Sequence, residues 1–260
     1  MFKIFLFIFF LTLLSCDAKE PKAELGLGMF ALSYPSYIGS KSTNTLIGPY
    51  PHIRYRGDIV TADKDGFAGK FLSLYGFRMD LSFGGSLPSN SEGSATREGM
   101  PNLDLSGEIG LKLVYNLYKE KNHELELDLH TRAVISTDFS TVSYRGLVGN
   151  AGIKYAFNYQ NFELILRTGI VFANARYNNY YYAVDEQYVT NTRAYYKSAS
   201  GYNGVRDSIG LSYQKNAWWW GAYIAHFNID NAVFVDSPLV ETKDALYMGA
   251  SFAYIFYTQD

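Results

Sequence analysis

Asp128 and His130 stand two residues apart in the stretch His123 to Ser136, preceded by Glu124 and Glu126. An aspartate that orients a histidine supports nucleophilic catalysis when a serine lies within reach, and Ser106 or Ser251 could supply that hydroxyl. Neighbouring carboxylates can also divide acid and base roles in glycoside hydrolysis. Both chemistries depend on a geometry that residue types alone do not encode. Alternate positions of a strand share one face. A row of acids there needs only basic neighbours, and that plainer reading is preferred. The four histidines His52, His123, His130 and His226 lack metal-ligand spacing. HExxH, CxxC, GxSxG, Walker and dinucleotide glycine patterns are all missing. No catalytic residue, metal or cofactor is therefore expected. Asn191 to Tyr202 mixes Arg193 and Lys197 with tyrosines, a blend that can bind polysaccharide or nucleic acid. An ordinary loop that carries two charges is the preferred reading. The net charge of -2 supplies no basic field, so no nucleic-acid partner is expected.

The element that carries Asp128 explains its setting. Leu125, Leu127, Leu129, Ala133 and Ile135 alternate with Glu124, Glu126, Asp128, His130 and Arg132. The period of two recurs. Phe77, Met79, Leu81 and Phe83 alternate with Arg78, Asp80, Ser82 and Gly84. Ile109, Leu111, Leu113, Tyr115 and Leu117 face away from Glu108, Lys112 and Asn116. The same holds around Asn150 and Lys154, around Glu163 and Arg167, and from Leu246 to Phe256. These are strands. Several run past ten residues, which matches the roughly 9–11 of a membrane-spanning strand better than the roughly 5–6 of a soluble one. A carboxylate facing hydrocarbon is costly, so the leucine faces must meet lipid and the charged faces a wet interior. Lys112, Arg132, Lys154 and Arg167 can then pair with Glu108, Glu124, Glu126 and Asp128. If they do, the lumen is filled and conduction is disfavoured.

Short polar turns at Tyr118–Asn122, Asn158–Asn161 and Gln214–Ala217 separate longer connections at Pro35–Gly48, Leu87–Asn102, Asn178–Asn203 and Asn228–Lys243. The expected fold is all-β: a closed antiparallel transmembrane barrel with short periplasmic turns and long extracellular loops. Twelve strands are counted if Asp58 to Tyr75 forms a hairpin around Asp65-Gly66, and ten if that segment folds over or into the barrel. Trp218-Trp219-Trp220 and the tyrosine clusters at Tyr180–Tyr182 and Tyr195-Tyr196 suit an interfacial girdle. Self-packing of the tyrosine-rich loop, or ligand contact, are the other readings.

Lys3 followed by the apolar run Ile4 to Leu14 has the build of a secretory signal. Residues 1–18 are expected to be that signal and residues 19–260 the barrel. Two cleavage sites stay open: before Cys16, in a lipobox-like Leu13-Leu14-Ser15-Cys16 that would leave an acylated cysteine, or after Ala18. Cys16 is the only cysteine, so the exported protein uses no disulfide.

Short motifs in order carry a family resemblance. They are Ser33-Tyr34-Pro35 with Gly39-Ser40, Pro49-Tyr50 with Tyr55-Arg56-Gly57-Asp58, Asp104 to Gly110, Tyr180 to Val184, Ala199 to Tyr202, and Asp236-Ser237-Pro238-Leu239-Val240. Together the chain resembles the MipA/OmpV family of Gram-negative outer-membrane proteins over roughly Glu24 to Phe256. The resemblance implies an outer-membrane barrel in contact with outer-membrane lipids. It also implies a scaffolding role that brings a lytic transglycosylase to a penicillin-binding protein. The alternatives are a narrow channel for small solutes or antibiotics, and an outer-membrane hydrolase. Tyr257 to Asp260 follow Phe256, where many barrels stop at a terminal phenylalanine.

Overall fold

A computed structural model describes residues 22–56, 60–63, 66–74 and 76–259. The signal segment, Cys16 and both candidate cleavage sites lie outside these residues, as do Gly57, Asp58 and Asp65. The strands are β1 (Lys22–Pro35), β2 (Thr43–Arg56), β3 (Val60–Asp63), β4 (Gly66–Leu74), β5 (Phe77–Ser86), β6 (Leu105–Lys119), β7 (His123–Thr137), β8 (Val142–Tyr159), β9 (Phe162–Ala173), β10 (Gly201–Lys215), β11 (Trp218–Asn228) and β12 (Asp244–Gln259). One helix, α1 (Ala175–Tyr182), lies between β9 and β10. Every strand pairs antiparallel with its sequence neighbour. β1 also pairs with β12, so the ladder returns on itself. Ten long strands make the curved wall, and the short β3–β4 hairpin bridges β2 and β5. Pairing of this kind satisfies backbone groups that hydrocarbon could not.

The pleat sorts the side chains as their alternation dictates. On β7, Leu127 and Leu129 point outward and Leu129 is 56% exposed, while the adjacent Glu126 faces inward and is 4% exposed. Outward apolar stripes continue through Ile109, Leu111 and Leu113 on β6 and Met248 and Phe252 on β12. The inner wall is thinned by glycine where large rings lie against it. A Cβ at Gly28 would strike the Tyr50 ring, and one at Gly221 would strike the Trp219 ring. Glycine at these two positions lets the aromatic rings lie close to the sheet.

One end carries tight turns. Gln160 and Asn216 adopt positive φ (53° and 54°) at the β8–β9 and β10–β11 turns. Outward aromatics ring this end: Trp218 against Tyr254 (5.2 Å), Phe162 against Tyr213 (4.5 Å), and Phe157 beside His123 (4.9 Å). Trp220 belongs to the same belt, but Trp219 does not. It points into the lumen and packs on His52 at 5.0 Å. The expectation that all three tryptophans form a girdle is thus corrected, because adjacent strand residues face opposite sides. The opposite end carries the long connections. The first of these is shorter than expected, since β2 already begins at Thr43.

The outward stripe makes a direct prediction. Leu129→Lys should destabilise the lipid-embedded chain by about 2–4 kcal/mol. Urea unfolding in lipid vesicles reads this out, and Leu129→Ile is the control that should stay near wild type.

Candidate functional site

The inner face divides into three levels. Near the tight turns, Glu24 on β1 meets Arg54 on β2 (2.8 Å), and Gln214 on β10 bonds both, accepting from Arg54 at 2.6 Å and donating to Glu24 at 3.1 Å. Each residue sits at the turn end of its strand, and the pairing of β1 with β12 brings the three together. Above them lies a belt of ions. Arg78 pairs with Asp80 (2.8 Å) on its own strand and with Glu126 (3.3 Å) two strands away on β7. Glu126 also holds Lys154 (3.4 Å). Arg132 joins Glu108 (3.1 Å) and donates to the Ser82 hydroxyl (2.8 Å). His130 Nδ1 lies 3.2 Å from Asp128. Lys112 sits in register between Asp80 and His130, and Arg167 between Lys154 and Ser208. Glu124 is not part of this belt. It binds Lys119 at the exposed rim (2.7 Å).

The sequence-expected residues therefore separate. Glu108 with Arg132, and Glu126 with Lys154, are brought together. Glu124 is drawn off to a rim lysine. Glu24, Arg54, Arg78 and Asp80 join the interior pairing without having been singled out from sequence. Their alternation with apolar residues was visible, but their partners stand on other strands. No hydroxyl bonds His130 among the described residues. Ser106 is instead bonded to Ser86 (2.8 Å), so the imagined triad is not assembled. Among the described residues no group of three or more histidine, cysteine or acidic side chains could hold a metal.

At the long-loop end the connections fold into a cap with its own apolar centre. Tyr37, Leu103, Tyr181, Tyr182, Ile229 and Phe234 form its core. Asn174 caps α1 by accepting from the Tyr177 amide (3.0 Å). The helix then presents Tyr182 to Phe234 in a flat stack with centroids 3.7 Å apart. Tyr182 donates to the Ile38 carbonyl (3.0 Å), and the Ser237 hydroxyl donates to the Tyr182 carbonyl (2.7 Å). Two buried arginines bolt the loops to one another. Arg97 donates to the carbonyls of Tyr181 (2.8 Å) and Pro101 (3.1 Å). Arg193 donates to those of Tyr188 (2.8 Å), Thr96 (2.8 Å) and Glu98 (3.0 Å). Below the cap, Arg145 reaches Asp104 (3.2 Å) and stacks over Tyr180 (4.3 Å).

These contacts correct two sequence readings. Tyr180 to Tyr182 are the interior of the cap and not an interfacial girdle, because α1 turns them inward. In Asn191 to Tyr202, Arg193 is spent on backbone carbonyls and Lys197 on Asp185, so the stretch does not present two free charges.

An antiparallel sheet of this kind, apolar outside and ionised within, defines the class: an outer-membrane β-barrel protein. The sequence profile of the family described as MltA-interacting protein MipA matches residues 27–256, so the chain belongs to that family and to the outer membrane. No curated protein sequence matches the chain. Among solved structures it is similar to the outer membrane protease OmpT from Escherichia coli, at 12% identity with 94% of this chain and 99% of that one covered (TM-score 0.33). It is also similar to a FadL homologue from Pseudomonas aeruginosa, at 8% identity, 93% and 91% covered (TM-score 0.34). OmpT of Vibrio cholerae matches at 8% identity, 94% and 100% covered (TM-score 0.38). At these TM-scores nothing further is drawn from the similarities.

Two predictions follow from the ions and the cap. Glu126→Ala leaves Arg78 and Lys154 without their shared partner. Partial wetting softens the loss, so destabilisation of about 1–3 kcal/mol is expected in urea unfolding. In the cap, burial pushes the Tyr182 hydroxyl well above its ordinary value, and Tyr181 shifts the same way. An unfolded tyrosine ionises near pH ~10 while the folded one stays neutral. Cap stability is therefore complete below about pH 10 and falls as pH climbs toward the folded value. Trypsin cleavage at Arg176, Arg193 and Lys197 should rise above that pH while strand circular dichroism holds.

Proposed function

We propose that this protein is a non-enzymatic scaffold or envelope-stress barrel of the outer membrane, linked to peptidoglycan-remodelling enzymes. In this reading twelve strands span the bilayer, the tight turns face the periplasm, and the long loops face outward. Residues 1–18 serve as the export signal, removed before Cys16 or after Ala18. The turn-side rim meets a lytic transglycosylase and a penicillin-binding protein.

One observation carries the reading: the interior ions are spent on one another beneath a bolted cap. A solute path needs a wet conduit with unengaged polar groups, and a hydrolase needs a reactive group free to meet substrate. Here Glu126 and Glu108 hold cationic partners, Asp128 lies against His130, and four connections converge over one mouth. The family description, which names interaction with MltA, supports a partner among the cell-wall lytic enzymes.

The test combines capture and conductance. The full chain, solubilised from envelopes in mild detergent, should retain a lytic transglycosylase and lose it when Lys119, Lys121 and Lys215 at the turn-side rim are changed to Glu. In planar bilayers the same protein should give no stable single-channel steps. Regular steps with no captured enzyme would favour the channel. An envelope hydrolase activity abolished by His130→Ala would favour the enzyme.

A further inference from the structure

The β7–β8 connection differs from the rest of the loop end. Only Asp138 to Thr141 separate the two strands, and they stand apart from the cap core. Their turn is tightly held. Asp138 Oδ1 accepts from the Ser140 amide (2.9 Å), the Ser140 hydroxyl (2.8 Å), the Thr141 amide (2.7 Å) and the Thr141 hydroxyl (3.1 Å). Thr137 Oγ1 accepts from the Phe139 amide (3.0 Å) and donates to the Thr141 carbonyl (2.8 Å). Between these clamps Phe139 takes φ of 70°. Bulky side chains rarely adopt that conformation, and such strain persists only where surrounding bonds over-determine it.

The outcome is a phenyl ring 87% exposed at the tip. It is not alone. Val142 is 75% exposed, and Ile135 and Tyr144, paired across the hairpin, also face outward. This set continues the lipid-facing stripe of Leu127, Leu129 and Leu147 up to the turn. The other side of the barrel behaves differently. On β10 to β12 the outward row turns polar above Ile209, Ile224 and Leu246, where Asp207 stands opposite His226, and His226 binds Asp244 (2.8 Å). The Arg176 guanidinium, rooted in the cap, lies over the outward Tyr144 ring (5.3 Å) and joins the hairpin to the cap.

We propose that the β7–β8 hairpin is a membrane anchor, its tip immersed in the outer leaflet with Phe139 inserted among lipid acyl chains. The clamp residues Asp138 and Thr137 set the ring's direction. Asp138 Oδ1 and Thr137 Oγ1 are bonded within the turn, which lowers the polar cost of bringing the tip to lipid. The immersed hairpin leaves the cap outside the bilayer and tethers β8, from which α1 is suspended through the Leu147 amide bond to Asn174 (3.1 Å). The inference rests on the outer-membrane location and not on the scaffold reading.

Spin labels measure this in the full chain, reconstituted in lipid vesicles with Cys16→Ser removing the single cysteine. Phe139→Cys is compared with Leu129→Cys on the wall and Tyr195→Cys on the exposed cap. At 139, collisions with oxygen should exceed those with a water-soluble nickel chelate, as at 129 and opposite to 195. Adding Asp138→Ala should shift position 139 toward the aqueous pattern while 129 stays unchanged. An aqueous pattern at 139 in the clamped chain overturns the proposal. So does dipolar broadening between labels on separate chains, which would mean that the tip packs against a second copy. An immersed label indifferent to Asp138→Ala overturns the clamp.

Discussion

Ionised side chains tolerate hydrocarbon so poorly that every strand here must commit each face to one solvent. Leu127 and Leu129 can meet lipid only because Glu126 and Asp128 turn away from it, and the pleat enforces this residue by residue. The same demand governs the backbone. An open edge in lipid would strand peptide donors and acceptors, so β1 must find β12. Side-chain sorting and edge pairing are two consequences of one low-dielectric surrounding.

Sending the charges inward creates a second problem, which the interior solves by pairing. Charges taken from bulk water are favourable only when partnered with good geometry. Glu126 illustrates the solution: a nearly inaccessible carboxylate shared by Arg78 from β5 and Lys154 from β8. Such links run along the inner wall and tie the neighbouring strands β5, β7 and β8 to one another.

The cap uses a different chemistry. Arg97 and Arg193 are buried and donate to carbonyl oxygens of irregular loops. Loops carry many backbone acceptors that no ladder satisfies, and a guanidinium with its fork of donors can gather several at once. Stacked Tyr182 and Phe234 then supply an apolar centre for connections that would otherwise be separate strings. The β7–β8 hairpin, too short to join, keeps its apolar residues outside.

Alternation in the chain settled on its own which residues of a strand share a face, and the cost of burying charge settled which face is wet. The apolar stripe of β7, the polar row beside it and the long strands were legible for that reason. Periodicity is local, and two residues suffice to set it. Tertiary structure alone decided which ions meet. Glu24, Arg54 and Gln214 converge from β1, β2 and β10, and Glu124 leaves the interior for Lys119 at the rim. It also decided that Trp219 and Tyr182 lie inside while Trp220 lies out, and that Arg193 is buried against loop carbonyls while Lys197 pairs with Asp185 at the surface. These outcomes depend on ring closure, strand register and loop folding, which join residues remote in the chain and leave no trace in local spacing.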